Sequence, residues 1–154
     1  YIARSILNAQ DVFMMGRGLD HAILLEGSLK LKEISYIHSE AYASGELKHG
    51  TIALITEDTP VVAVVTQDKV KSKEFSNIKE VQSRGAGVIL FIKETFGLEK
   101  DAVWDSVFML PAMEDGFMVM PASAALQLLA YYVSLDKGLD VDKPRNLAKV
   151  VTVE

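Results

Sequence analysis

Short apolar runs without polar alternation recur along the chain. Four of them occupy residues 12–15, 61–66, 88–92 and 107–110. Strands that are covered on both faces of a parallel sheet have this pattern, so the four runs are predicted to be strands. A shorter run at 52–55 fits either a fifth strand or a buried connection.

Segments with helical character separate these runs, at residues 19–37, 69–84 and 117–137. Gly85 and Gly87 follow the second segment and Gly138 follows the third, where glycine commonly ends a helix. Pro121 falls in the first turn of the third helix, where its missing N–H is harmless. Alternating strands and helices predict an α/β fold, a three-layer αβα sandwich with a mostly parallel, flavodoxin-like sheet.

The composition fits one globular domain. The chain has 154 residues, of which 49% are hydrophobic and 24% charged, and no internal repeat or low-complexity tract is visible. Residues 1–154 are therefore predicted to form a single domain, with 139–154 as an extended carboxyl-terminal tail. The chain starts at Tyr1 without a methionine or a signal-peptide pattern, so we expect a segment of a longer protein.

Charge and cysteine content narrow the function classes. A net charge of −5 gives no attraction to nucleic acid. No uninterrupted apolar run approaches the roughly 20 residues of a membrane span, so no membrane partner is expected. The chain has no cysteine, which excludes disulfides, thiolate metal sites and cysteine nucleophiles and fits a cytoplasmic protein.

The loops expected at the carboxyl ends of the strands contain few catalytic signals. In open α/β sheets ligands bind beyond these ends. The loop Gly16-Arg17-Gly18 is rich in glycine but matches neither a dinucleotide fingerprint nor a P-loop. An acidic cluster typical of response regulators is not expected there either, because Asp11 precedes its strand.

One predicted helix carries charge where apolar residues are expected. At about 100° per residue, Glu26, Lys30 and Glu33 fall within about 60° of one another. The residues that border this stripe are apolar: Ile23, Leu29, Ile34 and Tyr36. Because a solvated charged stripe normally has polar neighbours, the pattern predicts a largely buried helix whose charged side chains line a cleft.

The same spacing also fits an ordinary surface ladder. Acid–base pairs three or four residues apart stabilise a helix by a few tenths of a kcal/mol, and they are common on exposed helices. Spacing alone leaves both interpretations open.

A metal site is not predicted. His38 and His49 lie near Glu40 and Glu46, but their separation matches no compact ligand motif and no cysteine completes a set. His49, between Lys48 and Gly50 in a predicted turn, fits either a surface residue or a proton-transfer group. No cofactor is expected.

Three segments in order resemble the isomerase part of the glutamine–fructose-6-phosphate aminotransferases, a family also called glucosamine-6-phosphate synthases. They are EGSLKLKEISYIH at 26–38, GELKHG at 45–50, and DVDKPRNLAK at 140–149 followed by VTVE at 151–154. The resemblance implies a parent chain with an amino-terminal glutaminase and two sugar-isomerase (SIS) domains, of which this chain looks like the second. Its substrate would be fructose 6-phosphate, its product glucosamine 6-phosphate, and its assembly a homodimer.

By resemblance, the charged helix carries the isomerisation chemistry. Moving a proton between adjacent sugar carbons needs a fixed carboxylate, and the family pattern assigns this role to Glu33. Lys30 would stabilise charge on a hydroxyl, and Glu26 would contact the substrate and orient the group.

The resemblance assigns the remaining site residues to the two other segments. His49 would open the sugar ring and act in the partner subunit's site, since a histidine exchanges protons near neutral pH. Lys149 would contact the open-chain sugar and form an imine with its carbonyl, and Ala148 would contact the substrate. Val150 stands where a serine is expected beside this lysine.

Two family elements are missing from the sequence: the glutaminase cysteine and the Ser/Thr-rich phosphate loop of the first SIS domain. We therefore expect the isolated chain to be inactive. The alternative function is a sugar-phosphate-binding or dimerising SIS module without synthase activity, such as a regulator or a part of a related deaminase or deglycase.

Overall fold

The computed structural model describes residues 1–98 and 104–147. The helices are α1 (Ile2–Ser5), α2 (Leu19–Ser35), α3 (Lys71–Gln82) and α4 (Val119–Asp136). The strands are β1 (Asp11–Gly16), β2 (His38–Ala43), β3 (Pro60–Val65), β4 (Gly87–Lys93) and β5 (Ser106–Leu110). Short 3₁₀-helices span Leu47–His49, Thr51–Leu54 and Asp115–Met118.

The five strands form one parallel sheet in the order β2-β1-β3-β4-β5. The order reverses between β1 and β3, because the chain first adds β2 on one side and then continues on the other. The helix that follows β1 and the helix that follows β3 therefore lie on opposite faces of the sheet. Open α/β sheets form their binding crevice between two such strands.

Helices cover both faces of the sheet, as the predicted sandwich requires. On one face α2 and α4 pack against each other and against the sheet, with Leu24, Leu31 and Leu126 in their core. On the other face α3 packs over β3 and β4, with Ile78 buried there, and the 3₁₀-helix Leu47–His49 joins this layer through Leu47. Gly27 lies where α2 meets α4, since an added Cβ would come within 2.7 Å of Leu126 Cδ1.

The sequence pattern located four strands and missed the fifth. Strand β2 reads as polar, because it is an edge strand on which only Ser39 is fully buried. The run at 52–55 is a connection: it forms the 3₁₀-helix Thr51–Leu54, with Leu54 64% exposed. The predicted tail contains only turns over its described part, residues 139–147.

The helical segment Asp115–Asp136 is long and apolar enough to cross a membrane by length and composition. Much of its apolar surface instead packs within the domain, because Ala122, Leu126, Ala130 and Val133 are buried against α2 and the sheet. The segment is the central helix of the fold.

Candidate active site

The charged stripe of α2 forms an ion-paired row. Lys30 Nζ lies 2.8 Å from Glu33 Oε2 and 3.7 Å from Glu26 Oε1. The hydrogen bond to Glu33 is the main cause that raises the pKa of Lys30 above its ordinary value. Lys30 is therefore a cation and a hydrogen-bond donor at neutral pH.

The charged side chains of α2 are more exposed than the pattern predicted. The side chains of Lys30 and Glu33 are about one-third exposed and that of Glu26 is 45% exposed, so the three carry charge at a surface that solvent reaches. Leu25 and Leu29 on the same helix are also exposed. Only one stripe of α2, at Ala22, Leu25, Leu29 and Lys32, is exposed, so the predicted burial of much of its circumference is confirmed, and the charged residues lie at the border of that stripe.

Glu33 does line a groove. The end of α2 and the described part of the tail enclose an open groove of about 450 Å³, whose lining includes Glu33, Tyr36, Arg145 and Leu147. Glu26 and Lys30 lie further along the helix and do not line it. The carboxylate predicted to transfer the proton therefore faces the segment that leads to Ala148 and Lys149, which themselves lie outside the described residues.

His49 lies on the other face of the sheet. It ends the 3₁₀-helix Leu47–His49, is exposed, and follows Leu47, which packs into the core beneath α3. Glu33 belongs to α2 in the opposite layer. Within one chain the structure does not bring His49 and Glu33 together.

The histidines do not form a metal centre. His38 Nδ1 lies 2.6 Å from Asp11 Oδ1, and both side chains are mostly exposed. Across residues 1–98 and 104–147, no cluster of three or more His, Cys, Asp or Glu side chains is arranged to hold a metal ion.

A polar network that sequence reasoning missed closes the carboxyl edge of the sheet. Asp20, in the first turn of α2, is buried and accepts hydrogen bonds from the Thr66 backbone N–H at 2.8 Å and from the Thr66 hydroxyl. Gln67 Nε2 donates to Thr66 Oγ1 at 2.9 Å. Burial is the largest influence on Asp20 and raises its pKa to about 6.

Further buried polar side chains lie on both sides of the Asp20–Thr66 pair. Buried Lys93 forms ion pairs with Asp115 at 2.8 Å and Asp68 at 3.2 Å. On the α3 side, the Ser44 hydroxyl donates to the buried Glu74 carboxyl at 2.6 Å. Burial raises the pKa of Glu74 to about 7. The signal in the sequence is slight, because each of these residues is a single polar position at the end of an apolar run or in a first helical turn.

The network shapes what the crevice between β1 and β3 can bind. The Thr66 N–H and hydroxyl, which would otherwise be free to bind an anion, already bind the Asp20 carboxylate. A phosphate placed there would face a second negative charge.

Comparison with known proteins agrees with this architecture. The family model for the SIS domain matches residues 5–135, and the chain belongs to the SIS-domain family. It is 59% identical over 146 residues to a glutamine–fructose-6-phosphate aminotransferase (isomerizing) from Clostridium acetobutylicum and 56% identical over 147 residues to one from Caldanaerobacter subterraneus. These alignments cover 94% and 96% of the chain but 24% of each relative, so the chain spans about a quarter of their length.

A solved structure also matches. The C-terminal domain of glucosamine-fructose-6-phosphate aminotransferase from Francisella tularensis superimposes with a TM-score of 0.81 at 43% sequence identity, covering 92% of this chain and 40% of that one. The predicted family and fold are thereby confirmed.

Proposed function

We propose that this chain is the second isomerase half of a glutamine–fructose-6-phosphate aminotransferase. The parent enzyme would combine fructose 6-phosphate with ammonia from glutamine to form glucosamine 6-phosphate, in the cytoplasm, as a step of amino-sugar biosynthesis. The observation that carries the proposal is the Lys30–Glu33 pair at 2.8 Å, with Glu33 facing the groove beside the tail. The high identity to curated relatives of this name supports it.

Glu33 is the proton-transfer group in this proposal. Ammonia adds to the C2 carbonyl of the open-chain sugar, and loss of water leaves an imine. The Glu33 carboxylate takes a proton from C1 while the imine nitrogen gains a proton, which gives an enaminol; a proton is then delivered to C2 and the C1 hydroxyl loses its proton, which leaves a 2-amino aldose. Lys30, a permanent donor beside Glu33, stabilises negative charge that develops on a sugar oxygen, and Glu26 holds Lys30 from the other side.

His49 acts on ring opening in a second subunit. Its position on the opposite face of the sheet from Glu33 supports a role outside its own chain's groove. A homodimer would place His49 of each subunit in the partner's site. Lys149 would contact the carbonyl end of the sugar, with Ala148 beside it.

The phosphate is held elsewhere. The Asp20–Thr66 bonds occupy the crevice of this domain, and the sequence lacks a Ser/Thr-rich phosphate loop. The first SIS domain of the parent chain would bind the phosphate. This domain would supply the carboxylates and the hydrogen-bond donors that act on the carbon skeleton of the sugar. We therefore expect the isolated chain to be catalytically inactive.

Glu33→Gln in the parent enzyme tests the proposal. The amide keeps the shape of the side chain but cannot accept a proton, so glucosamine 6-phosphate formation should fall by about a hundred- to ten-thousandfold, the range typical for a general base. Glutamine hydrolysis and fructose 6-phosphate affinity should change by less than about threefold. Glu57→Gln, at an exposed carboxylate, is the matched control. Unchanged synthesis by Glu33→Gln would remove Glu33 from its role.

A further inference from the structure

The segment that carries His49 is fastened to α3 by a buried polar pair. Ser44 directly follows β2, and its hydroxyl donates a hydrogen bond to Glu74 Oε1 at 2.6 Å. Both residues are almost fully buried, at 2% and 1% exposure. The bond therefore joins the start of the segment 44–49, which we call the His49 loop, to the helix that packs over it.

Two further contacts hold the His49 loop to α3. Leu47 is buried in the same apolar cluster as Ile78 of this helix. Lys48 Nζ lies 3.4 Å from Glu80 Oε1, but both of these side chains are largely exposed. Apolar burial has no preferred direction and an exposed ion pair contributes little, so neither contact fixes the orientation of the loop. A buried hydrogen bond has a preferred geometry, so the polar pair can orient it.

Two short turns connect the position of Ser44 to that of His49. The Glu46 N–H donates to Ala43 O at 2.7 Å, and the His49 N–H donates to Glu46 O at 3.0 Å. On the side of β1, the Ser44 N–H donates to Gly16 O at 3.0 Å. Because these bonds leave few free torsions between residues 44 and 49, a shift at Ser44 moves His49.

The burial of Glu74 is unfavourable for stability. Its second carboxyl oxygen, Oε2, is also buried and has no hydrogen-bond partner among the residues that the structure describes. Removing a carboxyl group from water is costly, and a well-packed apolar pair of similar volume is often more stable. What the Ser44–Glu74 bond adds over apolar packing is a fixed geometry, which matters where a neighbouring group must be oriented.

Resting on the proposed function, we propose that Glu74 and Ser44 are positioning residues that orient the His49 loop, so that His49 can open the sugar ring in the partner subunit's site. Both are buried, so neither touches the sugar. Without their hydrogen bond Leu47 still holds the loop to α3, but the imidazole occupies its competent position only part of the time. Ring opening then slows, since proton transfer needs the imidazole within hydrogen-bond reach.

The test compares two substrates in the full-length parent enzyme. Fructose 6-phosphate must open its ring, whereas 5-deoxyfructose 6-phosphate lacks the C5 hydroxyl that closes the ring. Glu74→Leu and Ser44→Ala should each lower kcat/KM by about tenfold for fructose 6-phosphate and by less than about twofold for the open analogue. Retained turnover of the analogue also shows that each variant is folded. Equal losses on the two substrates, or no loss on fructose 6-phosphate, would overturn the proposal.

Two variants of α3 carboxylates serve as controls. Glu74→Gln keeps an acceptor for the Ser44 hydroxyl and should stay within about threefold of the wild type on fructose 6-phosphate. Glu80→Gln removes the exposed partner of Lys48 and should change kcat/KM by less than about twofold, because exposed pairs contribute little. A tenfold loss in Glu80→Gln would assign the effect to the loop as a whole and overturn the role of the buried pair.

A double-variant comparison checks that Glu74 acts through His49. In a His49→Ala background, Glu74→Leu should lower the turnover of fructose 6-phosphate by less than about twofold further, since no imidazole remains to be misplaced. A further tenfold loss in that background would show that Glu74 acts independently of His49, contrary to the proposal.

The outcomes separate this proposal from the proposed function. If His49→Ala is slow on fructose 6-phosphate alone while Glu74→Leu and Ser44→Ala match the wild type, the positioning role is wrong and the function stands. If His49→Ala leaves both substrates unaffected, the ring-opening role of His49 falls. If Glu33→Gln leaves synthesis unchanged, the proposed function falls, whatever the Glu74 variants do.

Discussion

Thr66 donates both its backbone N–H, at 2.8 Å, and its hydroxyl to the buried carboxylate of Asp20. This pairing ties the first turn of α2 to the end of β3, across the point where the strand order reverses. This is the edge of the sheet at which open α/β folds commonly bind their ligands. Glu33, the proton-transfer group of the proposed function, lies near the opposite end of α2.

Asp20→Ala should destabilise the chain. The substitution leaves the Thr66 N–H buried without an acceptor, and an unsatisfied buried group costs about 1–3 kcal/mol. Urea denaturation should therefore show a free energy of unfolding lower by about 2 kcal/mol. In a double-mutant cycle with Thr66→Val, the double variant should lose less free energy of unfolding than the two single variants lose together. Full additivity would show that the two residues are not coupled.

Glu74 makes stability depend on pH. Burial raises its pKa from 4.5 to about 7, so the folded chain holds a proton that the unfolded chain loses between these values. The free energy of unfolding should therefore fall as pH rises from about 4.5 to 7.

Glu74→Gln should remove the contribution of Glu74 to this dependence, because the amide carries no charge and keeps an acceptor for Ser44, while Asp20, with its pKa raised to about 6, still contributes at lower pH. At pH 8 the variant should be more stable than the unsubstituted chain by about 1–3 kcal/mol, whereas at pH 4.5 the two should agree within about 0.5 kcal/mol. Unfolding measured at both pH values checks this. Equal stability at pH 8 would contradict the raised pKa.

Gly27→Ala should destabilise the contact between α2 and α4. The new methyl group would meet Leu126 at 2.7 Å, and overpacking of this kind costs about 1–3 kcal/mol, more than the gain of up to about 1 kcal/mol in helix propensity. Gly116→Ala is the matched control, because nothing lies within 4 Å of its added Cβ. A Gly27→Ala chain as stable as the Gly116→Ala chain would contradict this packing.

The isolated chain should bind fructose 6-phosphate weakly. Asp20 occupies the Thr66 donors of the crevice, and the sequence has no Ser/Thr-rich loop to replace them. Isothermal titration calorimetry should show no affinity tighter than millimolar for the chain, against clear binding by the full-length parent. Micromolar affinity for the chain alone would place a phosphate site within this domain.

The sequence predicted most of the fold because most strands are apolar runs that the fold buries. Strands β1, β3 and β4 are buried along nearly their whole length, as their runs predict, whereas β5 is an edge strand on which Phe108 and Met109 are exposed. Strand β2 was missed because an edge strand with one fully buried residue carries no apolar run. Of the two alternatives for the run at 52–55, the connection is correct, with Ile52 and Ile55 packed into the core and Leu54 exposed.

The candidate site was predictable only in part. The spacing of Glu26, Lys30 and Glu33 correctly predicted their ion pairs, which are local to one helix. Their partial exposure depends on what covers α2, which a periodicity argument cannot supply. The contact of Arg145 with Tyr36 and the bonds of Thr66 with Asp20 join distant parts of the chain, and no spacing rule connects them.

Complementation tests the position of His49. If His49 serves the partner's site, parent subunits carrying His49→Ala should restore activity when mixed with Glu33→Gln subunits, because a mixed dimer contains one site with both groups intact. One intact site of two predicts about half of the wild-type rate per mixed dimer, and about a quarter for an equal mixture after random subunit exchange. Mixtures as inactive as the single variants would mean that each site takes both groups from the same subunit.

Proton removal from C1 by Glu33 is the central claim, and deuterium labelling tests it most directly. Fructose 6-phosphate carrying deuterium at C1 would be given to the full-length parent with glutamine, and the label followed by NMR. The wild-type enzyme should remove label from C1 as product forms, whereas Glu33→Gln, binding the sugar with similar affinity, should leave it in place. Loss of the label at the wild-type rate in Glu33→Gln would contradict the account.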